Sequence, residues 1–422
     1  MFENKEENEK AVIVGANINE KYFEVKLEEL KELALACDID VVHTITQNLE
    51  HINSALYIGT GKVEEVKEYI ANNHVDLVIF DNELSPSQIK NLQNVLDIRI
   101  LDRTALILQI FARRAKTKEA KLQVEVASLE YMLPRLVGLN SSLGRQSGKS
   151  GFSNKGTGEK QIELDRRKIE ARLVELNKEL KNIENERKIQ RRKREVSDIP
   201  LVCLVGYTNA GKSTILNMLI EKYMKDESKK VLEKDMLFAT LDTSVRKITV
   251  ENNKTFLLSD TVGFVSNIPH NLIKAFRSTL EEVKKASLLV HVVDYSDENY
   301  LKNIEVTNNT LKEIGAENIP IIYAFNKSDL MHIKIPKVEE DIVYMSASNK
   351  IGDIELIELI SKKVFGDYIK TKMLIPYDKG NIYSYLKQNA IIEKTEYIEE
   401  GTMLILKVKE KDYNKYKEYV LN

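Results

Sequence analysis

Gly206-Tyr207-Thr208-Asn209-Ala210-Gly211-Lys212-Ser213, with Thr214 next in the chain, sits between an apolar run, Leu201–Val205, and a helical pattern over residues 214–220. Glycines let such a turn curl until its N–H groups and the first turn of the next helix face one point, a geometry that suits phosphate oxygens. In that arrangement the backbone from Gly206 to Gly211 cradles phosphate, Lys212 reaches the β- and γ-phosphates, and Ser213 ligates Mg²⁺. The stretch predicts strand, phosphate loop and helix, the first unit of a three-layer α/β domain.

A phosphate loop does not choose the base. Asn326-Lys327-Ser328-Asp329 follows an apolar run at 321–325 and offers Asp329 as a paired acceptor for the N1–H and exocyclic amine of guanine. Adenine lacks that pair of donors and would leave the carboxylate unsatisfied, so the pattern predicts GTP over ATP. Ser346-Ala347-Ser348, after the run at 342–345, is the fitting last element, with its backbone toward the guanine carbonyl.

Asp260-Thr261-Val262-Gly263 supplies a carboxylate near Mg²⁺ and a glycine N–H for the γ-phosphate, the second switch of a P-loop GTPase. Within Phe238-Ala239-Thr240-Leu241-Asp242, Thr240 is the candidate first switch. Its hydroxyl completes the Mg²⁺ shell only when a γ-phosphate is present, and Thr243 is a nearby competitor for the role. The expected catalytic set is therefore Lys212, Thr240, Asp260 and Gly263, with Ser213 and Thr240 on the metal. These elements come in one order, each at the end of a predicted strand, where open α/β sheets bind ligands. Phe264 follows Gly263, so the water-orienting glutamine of small GTPases is absent and slow intrinsic turnover is expected. Asn209 stands where potassium-activated GTPases carry an asparagine. Two readings stay open for it: K⁺-stimulated hydrolysis, or an ordinary turn amide.

Outward from this domain, taken as residues 199–368, the chain divides further. Residues 1–112 alternate β-rich runs (11–14, 41–45, 75–80, 98–101) with helical patterns (27–36, 63–70, Pro86–Leu96), which argues a small α/β domain with a mainly parallel sheet. Gly59-Thr60-Gly61-Lys62 there lacks full phosphate-loop spacing and reads as a helix-starting turn. Over residues 113–196, Leu122, Val126, Leu129, Leu133 and Leu136 mark one helical stripe, and Ile162, Ile169, Leu173, Leu176, Leu180 and Ile183 mark a second. The two helices should form an antiparallel hairpin. Its joining loop, 140–158, holds five glycines with Arg145, Lys149 and Lys155 and no acid before Glu159. Such a loop either meets RNA backbone or is simply solvated. Residues 373–422 read as a small α+β domain.

At 422 residues the chain exceeds one ordinary domain, and its 43% hydrophobic and 30% charged content supports several cores. A net charge of -2 gives no global pull toward nucleic acid, so RNA affinity has to be local; no DNA partner is expected. Cys37 and Cys203, far apart in apolar contexts, carry no disulfide framework. The charged first ten residues and the short apolar runs lead to an expectation of a cytoplasmic monomer without membrane insertion.

The nucleotide motifs, together with residues 80–88 (Phe-Asp-Asn-Glu-Leu-Ser-Pro-Ser-Gln), Asp102-Arg103-Thr104, Tyr131-Met132-Leu133-Pro134-Arg135-Leu136 and Gly158-Glu159 followed by Asp165-Arg166-Arg167, resemble the HflX family of ribosome-associated GTPases. The resemblance runs from about residue 11 to the C-terminus and is loosest over the last fifty residues. Two departures stand out: Thr243 in place of the family's usual proline, and Gly156-Thr157-Gly158-Glu159 in place of Gly-Pro-Gly-Glu. The resemblance implies binding to the large ribosomal subunit, with the hairpin loop reaching ribosomal RNA near the peptidyl transferase centre. It also implies GTP-dependent splitting or rescue of stalled or idle ribosomes under stress. A ribosome-assembly GTPase, or an RNA-binding anti-association factor whose nucleotide only tunes affinity, are the alternatives.

Overall fold

The computed structural model describes residues 8–143, 155–195, 199–224, 244–250, 254–261, 263–264, 282–366 and 368–421. The fold is multidomain α/β. The first unit contains β1 (Glu9–Asn17), α1 (Phe23–Leu35), β2 (Ile39–Asn48), α2 (Thr60–Asn72), β3 (Leu77–Phe80), α3 (Pro86–Leu96) and β4 (Arg99–Asp102). Its strands pair in parallel in the order β2-β1-β3-β4. Ala11, Val12, Ile13 and Val14 are all fully buried, because helices cover both faces and alternate residues enter two separate cores. Pro86 at the first turn and a capping box between Ser85 and Gln88 explain why α3 begins where its sequence places it. Gly59 precedes α2 in the helix-starting role expected of that turn.

One helix was not anticipated. α4 (Arg103–Arg114) starts directly after β4, because Asp102 caps it by accepting from the Ala105 N–H at 2.8 Å. Leu106, Ile107, Ile110 and Phe111 then bury against α1 and the sheet.

The hairpin helices are α5 (Lys118–Leu143) and α6 (Lys155–Glu195). Leu122, Val126 and Leu176 form its seam with Leu129, Leu173, Leu180 and Ile183. Arg172 grips Glu125 (2.8 Å) and Lys118 meets Glu179 (3.0 Å), which sets the antiparallel register. The joining segment is shorter than expected: the helices run to Leu143 and resume at Lys155, so Lys155, Gly156 and Gly158 are helical. A helix already nucleated gains a hydrogen bond per residue, and an isolated glycine, costing about 1 kcal/mol, does not end it. Arg145 and Lys149 lie outside the described residues.

Three of the family-like motifs of the first half, residues 80–88, 102–104 and 131–136, meet at the carboxyl ends of β3 and β4. Buried Asp102 accepts from the Tyr131 hydroxyl (2.8 Å), from Arg135 (3.2 Å) and from the Leu84 N–H (3.0 Å). The Arg135 guanidinium also lies 3.3 Å from the centroid of the Tyr131 ring. Beside this knot, fully buried Asp81 accepts from Tyr57 (2.7 Å) and pairs with Lys26 (3.2 Å), while Arg103 pairs with Glu29 (2.8 Å). The bonds of Tyr131 and Arg135 to Asp102 dock α5 on the first domain.

The third unit carries β5 (Leu201–Val205), α7 (Lys212–Tyr223), β6 (Ser244–Thr249), β7 (Thr255–Asp260), β8 (Leu288–Asp294), α8 (Tyr300–Glu313), β9 (Ile321–Asn326), β10 (Lys337–Glu339), β11 (Ile342–Tyr344) and α9 (Asp353–Phe365). Its seven strands lie in the order β10-β11-β9-β8-β5-β7-β6, parallel except at the two edges. A core on each face makes three layers. The last unit is an antiparallel sheet, β13-β14-β12-β15, with α10 (Gly380–Asn389) packed on it. Its strands are β12 (Tyr368–Ile375), β13 (Ile391–Ile398), β14 (Gly401–Lys409) and β15 (Val420–Leu421). β12 starts earlier than the polar sequence at 368–372 indicated, because those residues pair with β14 from Tyr368↔Lys409 onward.

Candidate nucleotide-binding site

β5 ends at the phosphate loop, and two glycines there have no substitute. Gly206 has φ +143°, and a Cβ on it would lie 2.2 Å from the Val292 carbonyl oxygen. Gly211 has φ +93°, and a Cβ would lie 2.1 Å from the Asn326 side-chain amide. α7 begins at Lys212, so its N-terminus points into the loop. Tyr207, Thr208, Asn209 and Ala210 complete the turn, with Asn209 in the left-handed region at φ 60°. Thr214 lies in the first turn of α7.

Lys212 is buried, and its ammonium donates to the carbonyls of Gly206 (3.0 Å) and Tyr207 (2.6 Å). Burial pulls its pKa down to about 8, against the opposing pull of Asp260. A cation so placed is held for an anion of high charge. The Ser213 hydroxyl donates to Asp260 at 2.8 Å, which joins α7 to the end of β7. Ser213 and Asp260 together form a hard oxygen pair of the kind that suits Mg²⁺.

The second switch begins against the phosphate loop. Thr208 N–H donates to the Phe264 carbonyl (2.8 Å), and Phe264 N–H donates to the Gly206 carbonyl (3.2 Å), which clamps Gly263 beside Lys212. Phe264 itself is 2% exposed and belongs to the core under β5 and β8, so its side chain cannot orient water. Thr261 is fully buried, and its hydroxyl is committed to the Leu204 carbonyl at 2.6 Å; only its backbone is left to meet a nucleotide. Val262, Phe238, Thr240 and Thr243 lie outside the described residues.

On the guanine side, Asp329 sits in the 3₁₀ turn Ser328–Met331 after β9. One of its carboxylate oxygens accepts from Asn349 at 3.0 Å, while the other is buried with no protein partner among the described residues. That oxygen fits a guanine donor. Asn326 is buried and donates to the Ala210 carbonyl (2.9 Å) while accepting from the Ala347 N–H (2.9 Å). Any bond from Ala347 to a guanine carbonyl therefore has to be shared with Asn326. Ser346 and Ser348 face each other across 3.2 Å and close that turn. Lys327 pairs with Asp294 (2.7 Å) at the end of β8.

Most of the expected residues thus lie at the carboxyl ends of β5, β7 and β9 and in the turn after β11. Asp294 and Asn349, which sequence reading missed, steady Lys327 and Asp329. Asp294 carries a usable signal, as the acid ending an apolar strand; Asn349 has none, because its role exists only once two loops meet.

Three family models match the chain in series: GTP-binding GTPase N-terminal over residues 24–112, GTP-binding GTPase middle region over 114–194, and 50S ribosome-binding GTPase over 201–327. The chain is 43% identical to the GTPase HflX of Caldanaerobacter subterraneus subsp. tengcongensis, covering 95% of this chain and 91% of that one. It is 40% identical to that of Alkalihalophilus pseudofirmus (93% and 91% covered) and 36% identical to that of Escherichia coli K12 (97% and 95% covered). With the nucleotide site in place and likeness running through every domain, the chain belongs to the HflX family of GTPases and hydrolyses GTP.

Proposed function

We propose that this GTPase binds the large ribosomal subunit in its GTP state, splits or rescues stalled or idle ribosomes in the cytoplasm, and leaves after hydrolysis. The observation that carries the reading is the docked hairpin. Tyr131 and Arg135 fasten α5 to buried Asp102, and the sequence that joins the two hairpin helices, residues 144–154, carries Arg145 and Lys149 and no acid, a composition suited to RNA phosphates. The match of residues 201–327 to a 50S ribosome-binding GTPase model supports the choice of partner.

In this reading the phosphate-loop amides from Gly206 to Ser213 hold the triphosphate, Lys212 exchanges its two loop carbonyls for the β- and γ-phosphates, and Asp329 reads guanine. Ser213, with Asp260 behind it, and Thr240 would hold Mg²⁺, which would supply positive charge to offset that of the phosphates. Gly263, clamped beside Lys212, offers its N–H to the γ-phosphate and so ties the second switch to the triphosphate state. Asn209 is the proposed K⁺ contact.

Sedimentation of the purified chain with ribosomes tests the proposal. A non-hydrolysable GTP analogue should carry the protein into the large-subunit fraction and shift intact ribosomes toward subunits, and GDP should do neither. Equal sedimentation with both nucleotides would favour an RNA-binding factor whose nucleotide only tunes affinity.

A further inference from the structure

Guanine presents two neighbouring donors, N1–H and the exocyclic amine, and a carboxylate meets both only when its plane lies along that edge. Nothing in an aspartate itself sets the plane, because rotation about the bond to the carboxyl group is broad. A neighbour has to set it. At Asp329 that neighbour is Asn349, whose side-chain amide donates to one carboxylate oxygen at 3.0 Å and is the one protein donor to that carboxylate among the described residues. The other oxygen is buried and has no protein partner among the described residues. A buried carboxylate oxygen left without a donor is costly, and a donor carried by a ligand recovers that cost.

The Asn349 amide is held by its own loop. Ser346 and Ile351 exchange both backbone hydrogen bonds (3.0 and 2.9 Å), and the Lys350 N–H donates to the Ala347 carbonyl (3.2 Å), with Lys350 in the left-handed region at φ 55°. The Asn349 N–H donates to the hydroxyl of fully buried Ser346 at 3.4 Å. Gly352, at φ +94° and with its Cβ position 2.6 Å from the Met345 Cβ, lets the turn close. This small hairpin fixes the Asn349 backbone. Its exposed side chain makes no other hydrogen bond among the described residues, so the amide has Asp329 as its one task.

Hypoxanthine differs from guanine in lacking the exocyclic amine. A carboxylate free to turn can follow N1–H, which both bases carry, whereas a carboxylate held in one plane rewards the second donor as well. Holding the plane therefore favours the two-donor edge over the one-donor edge.

We propose that Asn349 is a positioning residue for base selection: by fixing the plane of the Asp329 carboxylate, it makes the pocket distinguish guanine from hypoxanthine nucleotides. This goes beyond the choice of guanine over adenine, which Asp329 makes without help. The inference deepens the reading of Asp329 as the base contact and rests on it.

Competition of GDP and inosine diphosphate against a fluorescent guanine nucleotide, on the full chain, measures the preference. Asn349→Leu, which keeps the volume and removes the donor at an exposed turn position, should lower the ratio of GDP affinity to inosine diphosphate affinity by about tenfold, chiefly through lost GDP affinity. Asn349→Asp, nearly the same shape but a like charge facing Asp329, should lower the ratio at least as far. A residue that only stiffens its loop would weaken both nucleotides alike, so a ratio at the wild-type value in either variant overturns the proposal. Asp329→Asn in the same assay separates this failure from that of the underlying reading. If Asp329→Asn keeps the wild-type ratio, base recognition lies elsewhere; if it loses the preference while Asn349→Leu keeps it, only the positioning role fails.

Discussion

The side-chain amide of Asn326 donates to the carbonyl of Ala210 at 2.9 Å, and so fastens the guanine-recognition loop directly to the phosphate loop. Its oxygen accepts from Ala347 at the same distance, so one buried side chain holds three loops in register. Replacement by alanine strands a buried carbonyl and a buried N–H. Asn326→Ala is therefore expected to cost about 2 to 4 kcal/mol in stability and to weaken both GDP and GTP. Urea unfolding and titration with a fluorescent nucleotide measure the two losses, and unchanged nucleotide affinity would separate the loops from one another.

Asp329 offers guanine an acceptor, and Asp329→Asn turns part of that edge into a donor. The variant should lose GTP affinity by more than about a hundredfold, as expected when a paired polar group is mismatched, and should gain affinity for a nucleotide with a carbonyl in place of the exocyclic amine, such as xanthosine triphosphate. Competition binding with both nucleotides decides it; retention of the GTP preference would place base recognition elsewhere.

Lys212 destabilises the nucleotide-free fold that it serves. Its folded pKa, down to about 8 through burial, lies below the ordinary 10.5. As pH falls from 10.5 toward 8, the unfolded chain takes up a proton first, and stability is lost across that window. Lys212→Met should then raise the stability of the nucleotide-free chain by about 1 to 2 kcal/mol near neutral pH while abolishing GTP hydrolysis. Chemical denaturation without nucleotide, set against phosphate release, checks both directions.

His291 works the same way at lower pH. With its folded pKa near 3 and an ordinary value of 6.5, the unfolded chain binds a proton that the folded chain refuses, so stability falls as pH drops from 6.5 toward 3. The slope from this one group is about 1.4 kcal/mol per pH unit within the window. Comparing His291→Leu with wild type by urea unfolding at several pH values isolates it, and parallel stability curves would mean that the imidazole is not buried in its neutral form.

Arg135 joins the hairpin to the first domain through Asp102, which is fully buried. Arg135→Ala leaves that carboxylate short of its cation and should cost about 3 kcal/mol, loosening α5 without touching the nucleotide pocket. Limited proteolysis should cut the variant faster within the hairpin, while GDP affinity stays at the wild-type level. Equal cutting rates would show that Tyr131 alone docks α5.

Much of this protein was legible along the chain. The phosphate loop, the Asn326 to Asp329 motif and the apolar runs before them are local patterns, and glycine spacing, strand periodicity and the order of motifs are properties of the chain itself. The parallel sheet of the first domain and the antiparallel hairpin were readable for the same reason, because apolar β-rich runs alternating with helical patterns, and a helical stripe of period 3.6, are laid out along the chain. Residues far apart in sequence needed the folded chain. Only tertiary structure turned Phe264 into a core residue, committed Thr261 to the Leu204 carbonyl, gave Asp329 its neighbour Asn349, and drew Asp102, Tyr131 and Arg135 into one knot. Burial and charge pairing depend on distance in space, and a sequence records only distance along the chain.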